Sequence, residues 1–98
     1  MRIDSNQKKF IFNYCQNFDC NNLVYLFGSR TDDNAKGGDI DLMIISEKKI
    51  NHFDLYKMKL AFCEQFGNQK IDIVNLTHDN KSAFKQHLLS YAQIIDNE

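Results

Sequence analysis

No apolar run in this chain approaches the roughly 20 residues that a membrane-spanning helix needs. Its first residues, Met1-Arg2-Ile3-Asp4, lead straight into a polar, helix-like segment rather than a secretory leader. Both absences predict a cytoplasmic protein with no membrane partner. Metal-type cysteine spacing such as CxxC is missing too. The three cysteines are isolated and odd in number, which predicts free thiols, with Cys15 and Cys63 as small core residues and Cys20 in a loop. His52, His78 and His87 share no ligand spacing and are expected at the surface or at caps. Nor is there a basic stripe. Net charge is −1 and the lysines and arginines are scattered, so a role along the backbone of long DNA or RNA is excluded. The pairs Lys48-Lys49, Lys57-Lys59 and Lys81-Lys85 are expected on solvated faces. Repeats, low-complexity tracts and linkers are all absent, and 98 residues allow a single domain, 1–98, with one core and little room for an appended acceptor domain.

What is present is a sequence of compact amphipathic elements. Asp4 or Ser5 caps a first helix reaching about Phe18, in which Ile11, Tyr14, Cys15 and Phe18 recur at the spacing of one buried face. The Asn-rich loop 17–22 ends it. Leu23 to Phe27 is a strand, and Gly28 turns the chain off its end. A polar loop, Thr31 to Gly38, precedes a second strand from Asp39 to Ser46. That strand is apolar on both faces beyond Asp41, as a central strand should be. Asn51 caps a helix from His52 to Phe66, with Phe53, Tyr56, Leu60 and Cys63 on its expected core side and Leu55, Phe62 and Phe66 widening the stripe. Gly67-Asn68 stops it. Lys70 to Leu76 is a third strand. A final helix is expected from about Asn80 to Ile95, carrying Phe84, Leu88, Tyr91, Ala92 and Ile95 at helical spacing. The order α-β-β-α-β-α predicts an α/β (α+β) domain with a small mixed sheet flanked by helices.

The chemistry is concentrated between Leu23 and Ile45. Strand side chains alternate, so Asp39 and Asp41 share one face while Ile40, Leu42 and Ile44 share the other. Two like charges about 4 Å apart repel by roughly 4 kcal/mol at a surface-like dielectric, and a divalent cation is the usual remedy. Asp72 interrupts an otherwise apolar strand, where an unpaired carboxylate is costly. If that strand lies beside the Asp39/Asp41 strand, three carboxylates converge into an oxygen-only donor set of the kind Mg²⁺ or Mn²⁺ takes. Gly28 permits close backbone approach to a phosphate, the Ser29 hydroxyl and nearby N–H groups can donate to it, and Arg30 can add charge-assisted bonds.

These residues, Gly-Ser, nine intervening positions, Asp-x-Asp and a third Asp in a later strand, resemble the nucleotidyltransferase superfamily that includes DNA polymerase β. The short chain and the run LFGSR resemble its minimal nucleotidyltransferase (MNT) branch. Over nearly the whole chain, the resemblance implies that Gly28 and Ser29 grip phosphate, that Asp39 and Asp41 are the metal pair, and that Asp72 is the third carboxylate. It also implies two Mg²⁺ ions, with Mn²⁺ as an alternative, and ATP as substrate. The expected partner is a helical HEPN-type toxin, silenced when the MNT protein adenylylates one of its tyrosines. Two other readings remain open at this point. One is a nucleotide-binding antitoxin that acts by contact alone, favoured by the acidic loop residues Asp32 and Asp33. The other is a transferase acting on a small molecule.

Overall fold

The computed structural model describes residues 3–28 and 38–96, and it builds the domain around a four-stranded sheet. In chain order the elements are α1 (Ser5–Phe18), β1 (Leu23–Phe27), β2 (Ile40–Ser46), α2 (His52–Phe66), β3 (Ile71–Thr77), α3 (Ala83–Leu89) and β4 (Gln93–Ile95). Spatially the strands run β3-β2-β1-β4. β1 pairs antiparallel with both β2 and β4, whereas β2 and β3 are parallel, joined by the crossover through α2. The mixed sheet flanked by helices agrees with the fold expected from the sequence.

Helix α1 begins where its capping chemistry directs. The Asp4 carboxylate accepts from the Gln7 N–H at 2.8 Å, and the Gln7 side chain accepts in return from the Asp4 N–H at 3.1 Å. This reciprocal box satisfies two donors that the first turn would otherwise leave unpaired. At the start of α2, Asn51 Oδ1 accepts from the Phe53 N–H at 2.7 Å.

One face of the sheet, carrying Val24, Leu26, Ile40, Leu42, Ile44, Ile71 and Ile95, is covered by Ile11 and Cys15 of α1 and by Leu55, Met58 and Phe62 of α2. Phe10 bridges the two helices, with edge-to-face contacts to Phe62 (5.6 Å) and Phe66 (5.7 Å). Burial pushes the Cys15 thiol up to about 12, which marks it as a packing residue rather than a nucleophile. The opposite face is smaller. There Met43 and Ile45 of β2 meet Leu88 of α3, with Tyr25, Phe27, Leu76, Leu89 and Ala92 around them. β2 is thus covered on both sides, as its apolar run anticipates.

The register of β2 on β3 is pinned by Asn75, which is only 8% exposed. Its Nδ2 donates to the Ile44 carbonyl (3.1 Å) and to Ser46 Oγ (2.9 Å), while its Oδ1 accepts from the Ile50 N–H (2.7 Å). With its amide groups satisfied, a buried asparagine specifies one alignment, since a slip would leave them unpaired.

Three expectations are corrected by the structure. The last helix does not reach Ile95: α3 ends at Leu89, and Gln93–Ile95 form a strand on the free edge of β1. Leu88 and Ile95 lie in the cores on opposite faces of the sheet, so one continuous helical stripe cannot serve both. Edge pairing opposite Val24 satisfies the backbone and buries Ile95 as well. In α2, the buried face is Leu55, Met58 and Phe62. Phe53, Tyr56 and Leu60 are instead 62%, 55% and 51% exposed. Two apolar stripes overlap on this helix, and packing against Phe10 selects the one containing Phe62 and Phe66. Lys57 lies over the outward-facing Phe53 ring, 4.9 Å from its centroid.

The third correction concerns Lys85, expected in solvent but only 7% exposed. Its Nζ donates to the carbonyls of Thr77 (3.1 Å), His78 (3.0 Å) and Asn80 (3.0 Å), closing the turn between β3 and α3. The ammonium's three donors are all used. Lys85→Met keeps the aliphatic stem but deletes these bonds and is expected to destabilise the domain by about 1–3 kcal/mol. Urea unfolding measures this, and an unchanged midpoint would show that the ammonium is dispensable.

Candidate active site at the entry to the central strands

The parallel register sets Asp41 of β2 directly opposite Asp72 of β3. Adjacent strands run about 4.8 Å apart, so the two carboxylates leave the same face of the sheet as near neighbours. β2 begins at Ile40, not Asp39, because the ladder starts with the Ile40 N–H donating to the Lys70 carbonyl at 3.0 Å. Asp39 therefore stands just before the strand, and Lys70 just before β3. Gln69 braces this entrance: its Nε2 donates to the carbonyls of Gly38 (3.4 Å) and Lys70 (3.2 Å).

Asp41 carries the electrostatic cost of the arrangement. Its carboxyl is held above its ordinary value of 3.8, first by burial, then by repulsion from Asp72 and from Asp39, with Lys70 opposing the shift. A cation between the carboxylates would relieve this crowding. The Lys70 ammonium lies 3.5 Å from Asp39 Oδ2 and 4.0 Å from Asp72 Oδ2, so it reaches two of the three carboxylates.

Gly28 completes this side of the site from the end of β1, where Phe27 pairs with Asp41. Its φ is +76°, a conformation that side-chain-bearing residues avoid. A Cβ at this position would overlap the Asp41 carboxylate, meeting Oδ2 first and then Cγ at 3.1 Å. The backbone conformation favours glycine, and any larger residue would also push the Asp41 carboxylate aside.

Of the residues singled out in the sequence, Gly28, Asp39, Asp41 and Asp72 are brought to one place. Ser29 and Arg30, with the acidic loop residues Asp32 and Asp33, lie outside the described residues. Among the described residues no three acidic, histidine or cysteine side chains enclose a metal position as they stand. The donors nevertheless suit a hard divalent cation: they are carboxylate oxygens only, they are short of positive charge, and they sit beside a glycine cradle that a single Cβ would fill. Sequence reading overlooked Lys70 and Gln69. The signal for Lys70 was its alternation with Asp72, two residues on along the same strand edge.

A concavity of about 520 Å³ opens at the other end of β2, lined by Phe18, Asn22, Ser46, Lys49 and Asn51 among others. Its lining also includes Asp19, Glu47 and Asp54, but none of these carboxylates faces another across the β2–β3 register as Asp41 faces Asp72. No helix among the described residues is long and apolar enough to cross a membrane.

Comparison with known proteins gives a consistent picture. The family model described as "Polymerase beta, Nucleotidyltransferase" matches residues 9–98. Comparison with curated protein sequences returns no match. Among solved structures, a chain from a tri-AMPylated HEPN toxin in complex with MNT antitoxin, from Shewanella oneidensis, has a TM-score of 0.68 at 14% identity. That alignment covers 98% of this chain and 74% of that one. A chain of a mutant MntA–HpeT toxin–antitoxin pair scores 0.71 at 15% identity, covering 99% and 75%. A toxin–antitoxin chain solved with AMP-PNP scores 0.70 at 17% identity, covering 95% and 74%. At such identities the structural likeness establishes a shared fold.

Proposed function

The chain belongs to the polymerase beta nucleotidyltransferase family, and from that premise we propose that it transfers AMP from ATP to a tyrosine of a helical HEPN-type protein, as the antitoxin of a toxin–antitoxin pair. The observation that carries the catalytic reading is the register of Asp41 on Asp72, with Asp39 beside them and Gly28 packed against Asp41. The nucleotide and the acceptor are supported by what the fold relatives hold: an AMPylated HEPN toxin in one complex and AMP-PNP in another.

Each residue has a role in this reading. Gly28 opens the backbone to the triphosphate, and Ser29 and Arg30 are assigned to its phosphate oxygens from the sequence. Asp39 and Asp41 would hold one divalent cation, and with Asp72 a second. Mg²⁺, or Mn²⁺ in its place, supplies when bound the positive charge that acidifies an attacking hydroxyl and offsets charge on departing pyrophosphate. Asp72 accepts the proton of the tyrosine hydroxyl. The tyrosine oxygen then bonds to the α-phosphorus while the α–β phosphoanhydride bond breaks, and pyrophosphate leaves with the electron pair.

Co-expression with any helical protein encoded beside this chain, followed by intact and peptide mass spectrometry, tests the acceptor. One AMP increment on a tyrosine is expected. An unmodified partner, or no helical neighbour at all, would overturn that assignment. The second reading, an antitoxin acting by contact alone, is favoured by the exposed apolar residues Phe53, Tyr56 and Leu60 on α2. It requires that protection from the toxin survive replacement of Asp39 and Asp41 by alanine.

A further inference from the structure

Lys70 stands where the site's chemistry calls for a cation. Its ammonium is 3.5 Å from Asp39 and 4.0 Å from Asp72, at the end of the parallel β2–β3 pair that also carries Asp41. We propose that Lys70 is a built-in counter-cation of the metal-free site, which holds Asp39 and Asp72 in place by spanning them and must give way when a divalent ion binds. The inference rests on the metal-dependent reading above and adds a positioning residue to it.

The geometry supports a movable placeholder rather than a fixed structural bond. Backbone hydrogen bonding fixes the root of Lys70, because its carbonyl accepts from the Ile40 N–H and from Gln69 Nε2. The side chain beyond is free to swing, being 69% exposed, and four flexible carbons carry its ammonium. Lys85, by contrast, is buried and bonded to three carbonyls, so the chain also contains a lysine of the fixed kind. One ammonium against three carboxylates leaves two negative charges unbalanced, so the site stays short of positive charge and attractive to a doubly charged ion. Once such an ion engages Asp39, the ammonium and the metal compete for the same oxygen lone pairs, and like charges repel.

The consequence is measurable without any reaction. Mn²⁺ binding, followed by electron paramagnetic resonance of the free ion, should be about threefold or more tighter in Lys70→Gln than in the wild type. This is the order of change that loss of one exposed, competing ion pair corresponds to. Lys70→Arg, which keeps the charge, should bind Mn²⁺ like the wild type. Without metal, Lys70→Gln should melt at a lower temperature than the wild type, and saturating Mg²⁺ should raise its melting temperature by the larger increment. Wild type and Lys70→Gln binding Mn²⁺ equally, or the variant binding it more weakly, overturns the placeholder role and leaves the metal site standing. If neither protein binds Mn²⁺, the metal-dependent reading itself fails, and the placeholder fails with it.

Discussion

Asp41→Asn is expected to abolish nucleotidyl transfer while making the metal-free protein more stable. The loss of activity should be at least about 100-fold, because even partners that only orient metal ligands cost 10–100-fold when removed, and Asp41 is proposed as a ligand itself. The gain in stability follows from the crowding of Asp41 by burial and by the Asp72 and Asp39 carboxylates. Its pKa is raised in the folded protein, so the folded state binds its proton more tightly than the unfolded chain does. Stability is therefore lost as pH rises from the ordinary value of 3.8 through the folded pKa, and it stays lost above that. Asparagine, which does not ionise, escapes this loss. Metal-free Asp41→Asn should accordingly melt above the wild type at pH 7, and the difference should shrink as the pH falls towards 3.8. A variant that melts below the wild type at pH 7 would show that Asp41 is held by favourable contacts rather than strained by its neighbours.

The second large effect concerns Gly28. Alanine there must adopt φ near +76° and place its Cβ against the Asp41 carboxylate. The backbone contribution is about 1–2 kcal/mol, which for a domain of this size lowers the melting temperature by roughly 4–16 °C. The clash falls on the far end of a side chain that can turn, so the fold should survive. Asp41 is what must move. A displacement of about 1 Å in a reacting site can cost 10²-fold in rate, and a loss of that order is expected for Gly28→Ala. The two effects separate experimentally: at a temperature well below its melting point, the variant should be folded by circular dichroism and still inactive. Full activity in the folded variant would mean that the Gly28 approach to Asp41 does not matter for chemistry.

Local chemistry made much of this molecule legible in advance. Leu23–Phe27 and His52–Phe66 were delimited by turn glycines and an Asn cap, signals that act within a few residues and so survive into the structure unchanged. Gly28, Asp39, Asp41 and Asp72 stood out by their spacing and by interrupting apolar strands, although Asp39 and Asp72 are about half exposed and only Asp41 is crowded by its neighbours. The features missed were those decided by partners distant in sequence. Ile95 reads as helical until β1 offers it an edge. Phe53 and Phe62 look interchangeable on α2 until Phe10 packs against one of them. Lys85 resembles any surface lysine until three carbonyls surround it, and the alternation of Lys70 with Asp72 gains meaning once the parallel register sets Asp39 and Asp41 beside them. Composition and periodicity carry no information about such pairings, whereas burial and register do.

The central claim is that these carboxylates serve transfer of a nucleoside monophosphate rather than a phosphate. It is tested most directly by offering the protein and the proposed helical partner, with Mg²⁺, ATP labelled at either the α- or the γ-phosphate. The account predicts that α-label becomes bound to protein, one pyrophosphate being released per label, and that γ-label does not. Incorporation of γ-label, or α-label incorporation that persists in the Asp39→Ala, Asp41→Ala double variant, would contradict it.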